Sequence, residues 1–153
     1  MVHLVYCDNA GGKGNKELDK ILAGTKTMIV RGAAGRKFPH SRVFEGEELY
    51  FMEKGTKKIT AKAIVKHVEN YMKLSLDESA DILQKNQEKL NLTTKQSERW
   101  LKKYLCLVEF DSVEIIEPLD FDHQGNMDDW LIVNKIEDVV VGTSIKYEYV
   151  KIN

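Results

Sequence analysis

Residues 59–67 alternate strictly. Ile59, Ala61, Ala63, Val65 and His67 take one phase, and Thr60, Lys62, Ile64 and Lys66 take the other. Successive side chains of a strand point to opposite faces, so this reads as a long strand buried on one side. A second run, Leu105 to Ile116, predicts the strongest strand of the chain, with Pro118 ending it. The stretch between them is helical. Ser75 with Glu78 makes a capping box for a helix over about Leu76–Lys89, with Leu76, Ala80 and Leu83 on one face. Thr93 with Gln96 makes another, for a short helix to about Lys103 on which Trp100 and Tyr104 are i, i+4 neighbours. Their spacing reads as a pair of packing anchors.

Shorter strands are predicted at about His3–Cys7, Thr27–Val30, Glu48–Glu53, Trp130–Val133 and Glu148–Ile152. Leu18, Ile21 and Leu22 recur at helical spacing within Lys16–Ala23, and Gly24 stops that helix. Strands, an inserted helical pair and strands again fit an α+β chain: a small curved sheet or barrel with helices at one end. A doubly wound fold needs regular βαβ alternation, which is missing. A length of 153 residues suits a single domain over 1–153.

Lys plus Arg is 23 and Asp plus Glu is 24, which excludes a wholly basic nucleic-acid binder. No run of 18 apolar residues is present, so no membrane span is expected. The apolar stretch from Val2 is too short for a secretory segment, and a cytoplasmic location is the expectation. Cys7 and Cys106 read as free buried thiols, and neither has zinc-finger spacing. Asp120, Asp122, His123, Asp128 and Asp129 read as a solvated acidic loop rather than a cation site. The Gly11–Asn15 loop resembles a phosphate-binding loop only in composition. No metal and no cofactor is expected.

One window departs from this even composition. Between Asp19 and Glu45 there is no acid, yet Lys20, Lys26, Arg31, Arg36, Lys37 and Arg42 stand there with His40. Such a window makes either a local positive field for an anionic ligand or a solvated basic face whose acids come from elsewhere in the fold. Strand alternation sends Thr27, Ile29 and Arg31 to one face and Lys26, Met28 and Val30 to the other.

The segment Ile21-Leu22-Ala23-Gly24-Thr25-Lys26-Thr27-Met28-Ile29-Val30-Arg31 resembles the signature of ASCH domains of the PUA-like superfamily, a Gly-x-Lys-x-x-Glu-x-Arg core after a short helix. Gly24, Lys26 and Arg31 match it, while Ile29 stands where many members carry Glu. Glu45-Gly46-Glu47, the strand Ile59-Thr60-Ala61-Lys62-Ala63, the helical insert and Leu107-Val108-Glu109-Phe110 follow in family order, so the resemblance spans about residues 17–117. It implies a PUA-like small β-barrel flanked by helices, with a cleft that receives RNA or a modified nucleoside or nucleotide. Residues from 118 to 153 would be a C-terminal extension packing Trp130 on the barrel.

On these grounds the ligand-binding residues are Gly24, Lys26, Thr27, Arg31, Arg36, Lys37, His40 and Arg42. Ile21-Leu22-Ala23-Gly24-x-Lys26-Thr27 and Gln87-Glu88-x-x-x-Leu92-Thr93 further resemble small bacterial N(4)-acetylcytidine amidohydrolases. That resemblance implies Lys26 and Glu88 as catalytic residues. Ile29 takes the position of the subgroup's threonine and offers no nucleophile, although Thr27 lies two residues away on the same face. Three function classes follow: a reader of RNA or modified nucleosides, a hydrolase (amidohydrolase or ribonuclease), and a protein-interaction module. His40 with Ser41 is set aside as a hydrolase pair, since adjacent residues rarely meet side chain to side chain.

Overall fold

The computed structural model describes residues 1–125 and 128–147. Six strands form one sheet: β1 (Val2–Cys7), β2 (Met28–Ala33), β3 (Glu48–Glu53), β4 (Lys58–Tyr71), β5 (Tyr104–Asp120) and β6 (Trp130–Val133). Their spatial order is β2-β5-β4-β3-β1-β6. Only the β1–β3 pair is parallel. The predicted strand at Glu148–Ile152 lies outside the described residues.

β4 and β5 are the two runs with the strongest strand pattern, and both are longer than predicted. Three register shifts along their pairing, between Ile59/Ala61, Lys62/Ile64 and Val65/His67, add twist and curl the sheet. One shift explains why Pro118 does not end β5. Leu119 pairs with Ile59 and Ile115 with Ala61, so Pro118 falls in the irregular stretch where no ladder N–H is required.

The curl produces a half-barrel. Its concave face buries Val5, Ile29, Phe51, Val65, Val108 and Trp130. Helix α1 (Glu17–Leu22) caps this face with Leu18 and Ile21. The convex face carries two further clusters. Leu4, Met52, Phe121, Leu131 and Val139 pack at the β1–β6 end, where a 3-10 turn (Ile136–Val139) covers β6. Met28, Val30, Leu105 and Leu107 pack under the helical insert at the β2 end. Alternation predicted from sequence is thus realised in β2: Ile29 faces inward and Met28 and Val30 outward.

The insert is more broken than the sequence predicts. α2 (Leu76–Lys85) has the Ser75–Glu78 capping box, but it ends at Asn86 and α3 (Gln87–Leu90) follows. The Asn86 amide donates to the Ile82 carbonyl, so its side chain competes for the helix's own acceptors. α4 (Thr94–Arg99) stops at Trp100, and Tyr104 already begins β5, so these two aromatics are not helical neighbours. Among the described residues, no helix is long and apolar enough to cross a membrane.

Gly32 allows β2 to approach β5 closely. A Cβ there would lie 2.7 Å from Leu105 Cδ2 and 2.8 Å from the Tyr104 carbonyl oxygen.

Candidate functional site

β2 and β6 are the two edges of the sheet, and the half-barrel stays open between them. Arg31, on β2, bridges this seam. β6 begins at Trp130, opposite Val5, and the preceding Asp129 carbonyl accepts the next N–H, that of Tyr6. Beyond that bond the Tyr6 carbonyl accepts from across the seam, from Arg31 Nη2 at 2.9 Å. Nη2 also donates to Glu17 Oε1 at 3.2 Å, and Nη1 donates to the Val30 carbonyl at 2.8 Å. The guanidinium carbon lies 5.7 Å from the Trp100 ring centre and 6.0 Å from that of Trp130. A guanidinium has five N–H donors, so two remain for a ligand.

The space around Arg31 opens on two sides. Toward α4 a cavity of about 30 Å³ is lined by Asp8, Glu17, Lys54, Gln96, Arg99 and Trp100. Toward the loop after β2 another, of about 50 Å³, is lined by Lys37, Phe38, Asp128 and Trp130. Each has room for a few waters. Asp8 fixes the α4 wall: it accepts from Gln96 Nε2 at 3.3 Å and lies 3.7 Å from Arg99. Burial pushes the Asp8 carboxyl up, but the Ala10 N–H, Gln96 and Arg99 together hold it below the usual carboxylate value.

The lining is charge-balanced. Arg31, Lys37, Lys54 and Arg99 face Asp8, Glu17, Asp128 and Asp129. The acids missing between Asp19 and Glu45 are supplied by Asp8 just after β1, by Glu17 of α1 and by Asp128 and Asp129 before β6.

The other residues predicted for the site are dispersed. Lys26 is 2% exposed, and its ammonium donates to the Leu90 carbonyl at 2.5 Å. Lys20 donates to the Asn91 carbonyl at 3.0 Å, and the Thr27 N–H donates to the Lys89 carbonyl at 2.9 Å. Lys20, Lys26 and Thr27 therefore satisfy the carbonyl end of α3, where helix carbonyls lack partners and positive charge is favourable. Burial lowers Lys26 to about 8, opposed by the Glu17 charge and reinforced by Arg31.

Gly24 sits in the exposed turn after α1 at φ 78°. Glu88 is exposed on α3, and the carboxylate in the field of Lys26 is that of Glu17. Arg36 is exposed and meets the Met72 sulfur. Arg42 is half-buried in the same loop, its N–H donating to the Pro39 carbonyl.

His40 and Ser41 do meet, contrary to expectation, with Ser41 Oγ 2.8 Å from His40 Nδ1. Ser41 adopts φ 64°, which folds its side chain back onto the preceding ring. His40 Nε2 lies 3.1 Å from the Tyr71 carbonyl, which requires the proton on Nε2 and makes Nδ1 the acceptor for the serine hydroxyl. With the Ser41 N–H donating to Asn70 Oδ1 at 2.9 Å, these bonds pin the basic loop to the end of β4.

Three contributors escaped the sequence reading. Glu17 is 6% exposed and forms the only acid contact of Arg31 among the described residues. Its signal was present: it lies four residues before Ile21, on the inward face of α1. Trp130 packs against His3, its indole N–H donating to His3 Nδ1 at 2.9 Å, across 127 positions of sequence. Asp8 carried no sequence signal of its role. Cys7 and Cys106 are free and buried. Burial pushes the Cys7 thiol well up, with Glu17 adding to the rise, and Cys106 up to about 12. Neither suits a nucleophile. Among the described residues, no group of three or more His, Cys, Asp or Glu could hold a metal ion.

No family model and no curated protein matches the chain. Solved structures do. The crystal structure of ASCH from Zymomonas mobilis superposes with TM-score 0.60 at 11% identity, covering 88% of both chains. A serine-to-alanine variant of that protein gives 0.60 at 10% identity, covering 88% of this chain and 89% of that one. A tyrosine-to-phenylalanine variant gives 0.56 at 11% identity, covering 78% and 75%. With its mixed sheet curled into a half-barrel and its helices flanking one end, the chain has an ASCH-like fold.

Proposed function

We propose that the seam cleft receives the polar edge of a nucleoside, free or as one nucleotide of a single-stranded RNA, with Arg31 as its anchor and the rest of the nucleoside lying over the open mouth. One observation carries this reading: a guanidinium fixed by three acceptors, flanked by two indoles, with two donors left over. Two N–H groups suit a base carbonyl or a phosphate oxygen, and the half-buried Trp100 indole suits base stacking. Lys37 stands at the outer rim, with Arg36 and Arg42 on the same loop as further phosphate contacts. The ASCH-like fold and the resemblance around Gly24, Lys26 and Arg31 point the same way. The charge-balanced lining argues for a ligand of one or two phosphates rather than a long polyanion.

The chain has two tryptophans, and both line this cleft, so intrinsic fluorescence reports on it. Titration with cytidine, N(4)-acetylcytidine and short RNAs should give saturable quenching that weakens in Lys37→Ala with Arg99→Ala, rim positions that leave the Arg31 contacts in place. Quenching that never saturates, or that these substitutions leave intact, refutes the reading.

The second reading is hydrolysis of an acylated cytidine-like nucleoside, favoured by a buried amine lowered to about 8 in the field of the Glu17 carboxylate. In this reading Lys26 is the base, and Glu17 or Glu88 the acid. Release of acetate from N(4)-acetylcytidine, abolished by Lys26→Met, would establish it. Saturable binding without product would leave the reader alone.

A further inference from the structure

We propose that a separate cavity, on the convex face beside the cleft, is a second base pocket for the adjacent nucleotide of the same single strand. This inference rests on the reading of the Arg31 cleft given above. The cavity has a volume of about 290 Å³, and Tyr6, Met52, Phe121, His123, Lys54 and Lys57 line it. That volume is at the lower end of small-ligand sites and several times the space around Arg31.

Its chemistry is that of a base site. Three rings form a continuous edge-to-face series: Tyr6 and Phe121 at 5.7 Å, Phe121 and His123 at 5.9 Å. Met52 adds a buried thioether. The mouth is polar. Lys54 and Lys57 can receive a phosphate, while Asp128 and Asp129 can accept from exocyclic amino groups.

The two cavities share a wall. Tyr6, Lys54 and Asp129 line both, and Lys54 and Asp129 pair at 3.5 Å, both partly exposed. A strand with one nucleoside at Arg31 and the next base against Phe121 would lay its linking phosphate over this ridge, within reach of Lys54. The acids of the wall limit the ligand to few phosphates and disfavour a duplex, whose bases are already stacked.

The test uses adenosine 5′-monophosphate and the dinucleotide adenylyl-adenosine, with amide shifts followed by NMR. Wild type should bind the dinucleotide at least about fivefold more tightly than the mononucleotide, the lower bound for one added stacked base. The dinucleotide should shift the amides of Gly55, Lys57 and His123 together with those of Gly32 and Trp100. Lys57→Glu with His123→Ala, positions that line only this cavity, should erase that gain and leave mononucleotide affinity within twofold. Shifts confined to Gly32 and Trp100, or a gain unchanged in the double variant, overturn the second pocket and leave the Arg31 reading standing. Shifts confined to Gly55, Lys57 and His123 overturn the Arg31 reading and, with it, a pocket for the nucleotide adjacent to Arg31. No shift with either ligand overturns both.

Discussion

Two residues at the seam tie local geometry to measurable stability. Gly32 faces Leu105 and the Tyr104 carbonyl closer than any side chain tolerates. Gly32→Ala must push β2 off β5, and such overpacking costs about 1–3 kcal/mol. Urea unfolding should show a lower midpoint with an unchanged slope. Lys26 gives a second check through pH. Its folded value of about 8 lies below the ordinary 10.5 because burial disfavours the charged form. Between those values the unfolded chain holds a proton that the folded chain has released, so stability rises with pH across that window. The rise is on the order of 3 kcal/mol. Denaturation series between pH 8 and 10.5 should show it in wild type, and Lys26→Met should flatten it.

At the scale of elements, the strands were written plainly in the sequence and the helical insert only partly. Period-two alternation survives folding because one face of each strand is buried, as Ile29 against Met28 and Val30 shows. The ends of β5, α2 and α4 followed longer-range events. A register shift accommodated Pro118, and Asn86 took back a helix acceptor. The site was less legible than the fold. Gly24, Lys26 and Arg31 share a motif, yet Lys26 serves α3 while Arg31 serves the cleft. The partners that separate these roles, Glu17, Leu90 and Tyr6, are set by tertiary contact. The β1–β6 pair yields a prediction of its own. Burial holds His3 below its ordinary 6.5, with the Glu47 contact opposing. The unfolded chain therefore takes up the proton first as pH falls. Stability is whole above about 6.5 and declines as pH drops from there toward the lower folded value. Protonated His3 loses the Nδ1 acceptor that the Trp130 indole uses. Trp130 emission should shift over the same range, and His3→Gln should remove the pH dependence of both signals.

For the molecule as a whole, the charge balance of the cleft sets the salt response expected of the proposed binding. A uniformly basic cleft predicts a steep fall of RNA affinity with salt. On the proposed reading, with acids interleaved among the cations, one or two phosphates would be neutralised, each contributing about −0.7 to the slope of log affinity against log salt for a single strand. Titrations of a short RNA from low to moderate salt should give a slope near −1, and a slope beyond −3 would contradict the balanced cleft. Arg31 has a last consequence, for anyone seeking a binding-dead protein. It is at once the clasp of an unclosed sheet and the anchor of the proposed ligand. Removing it strands Glu17, a loss of about 3–5 kcal/mol when a buried pair is broken from one side. Fold and recognition therefore share one side chain, and a null allele at Arg31 reports a missing protein as readily as a missing interaction. Silent variants of the ligand contact have to be made at the rim, at Lys37 or Arg99, where the guanidinium clasp stays shut.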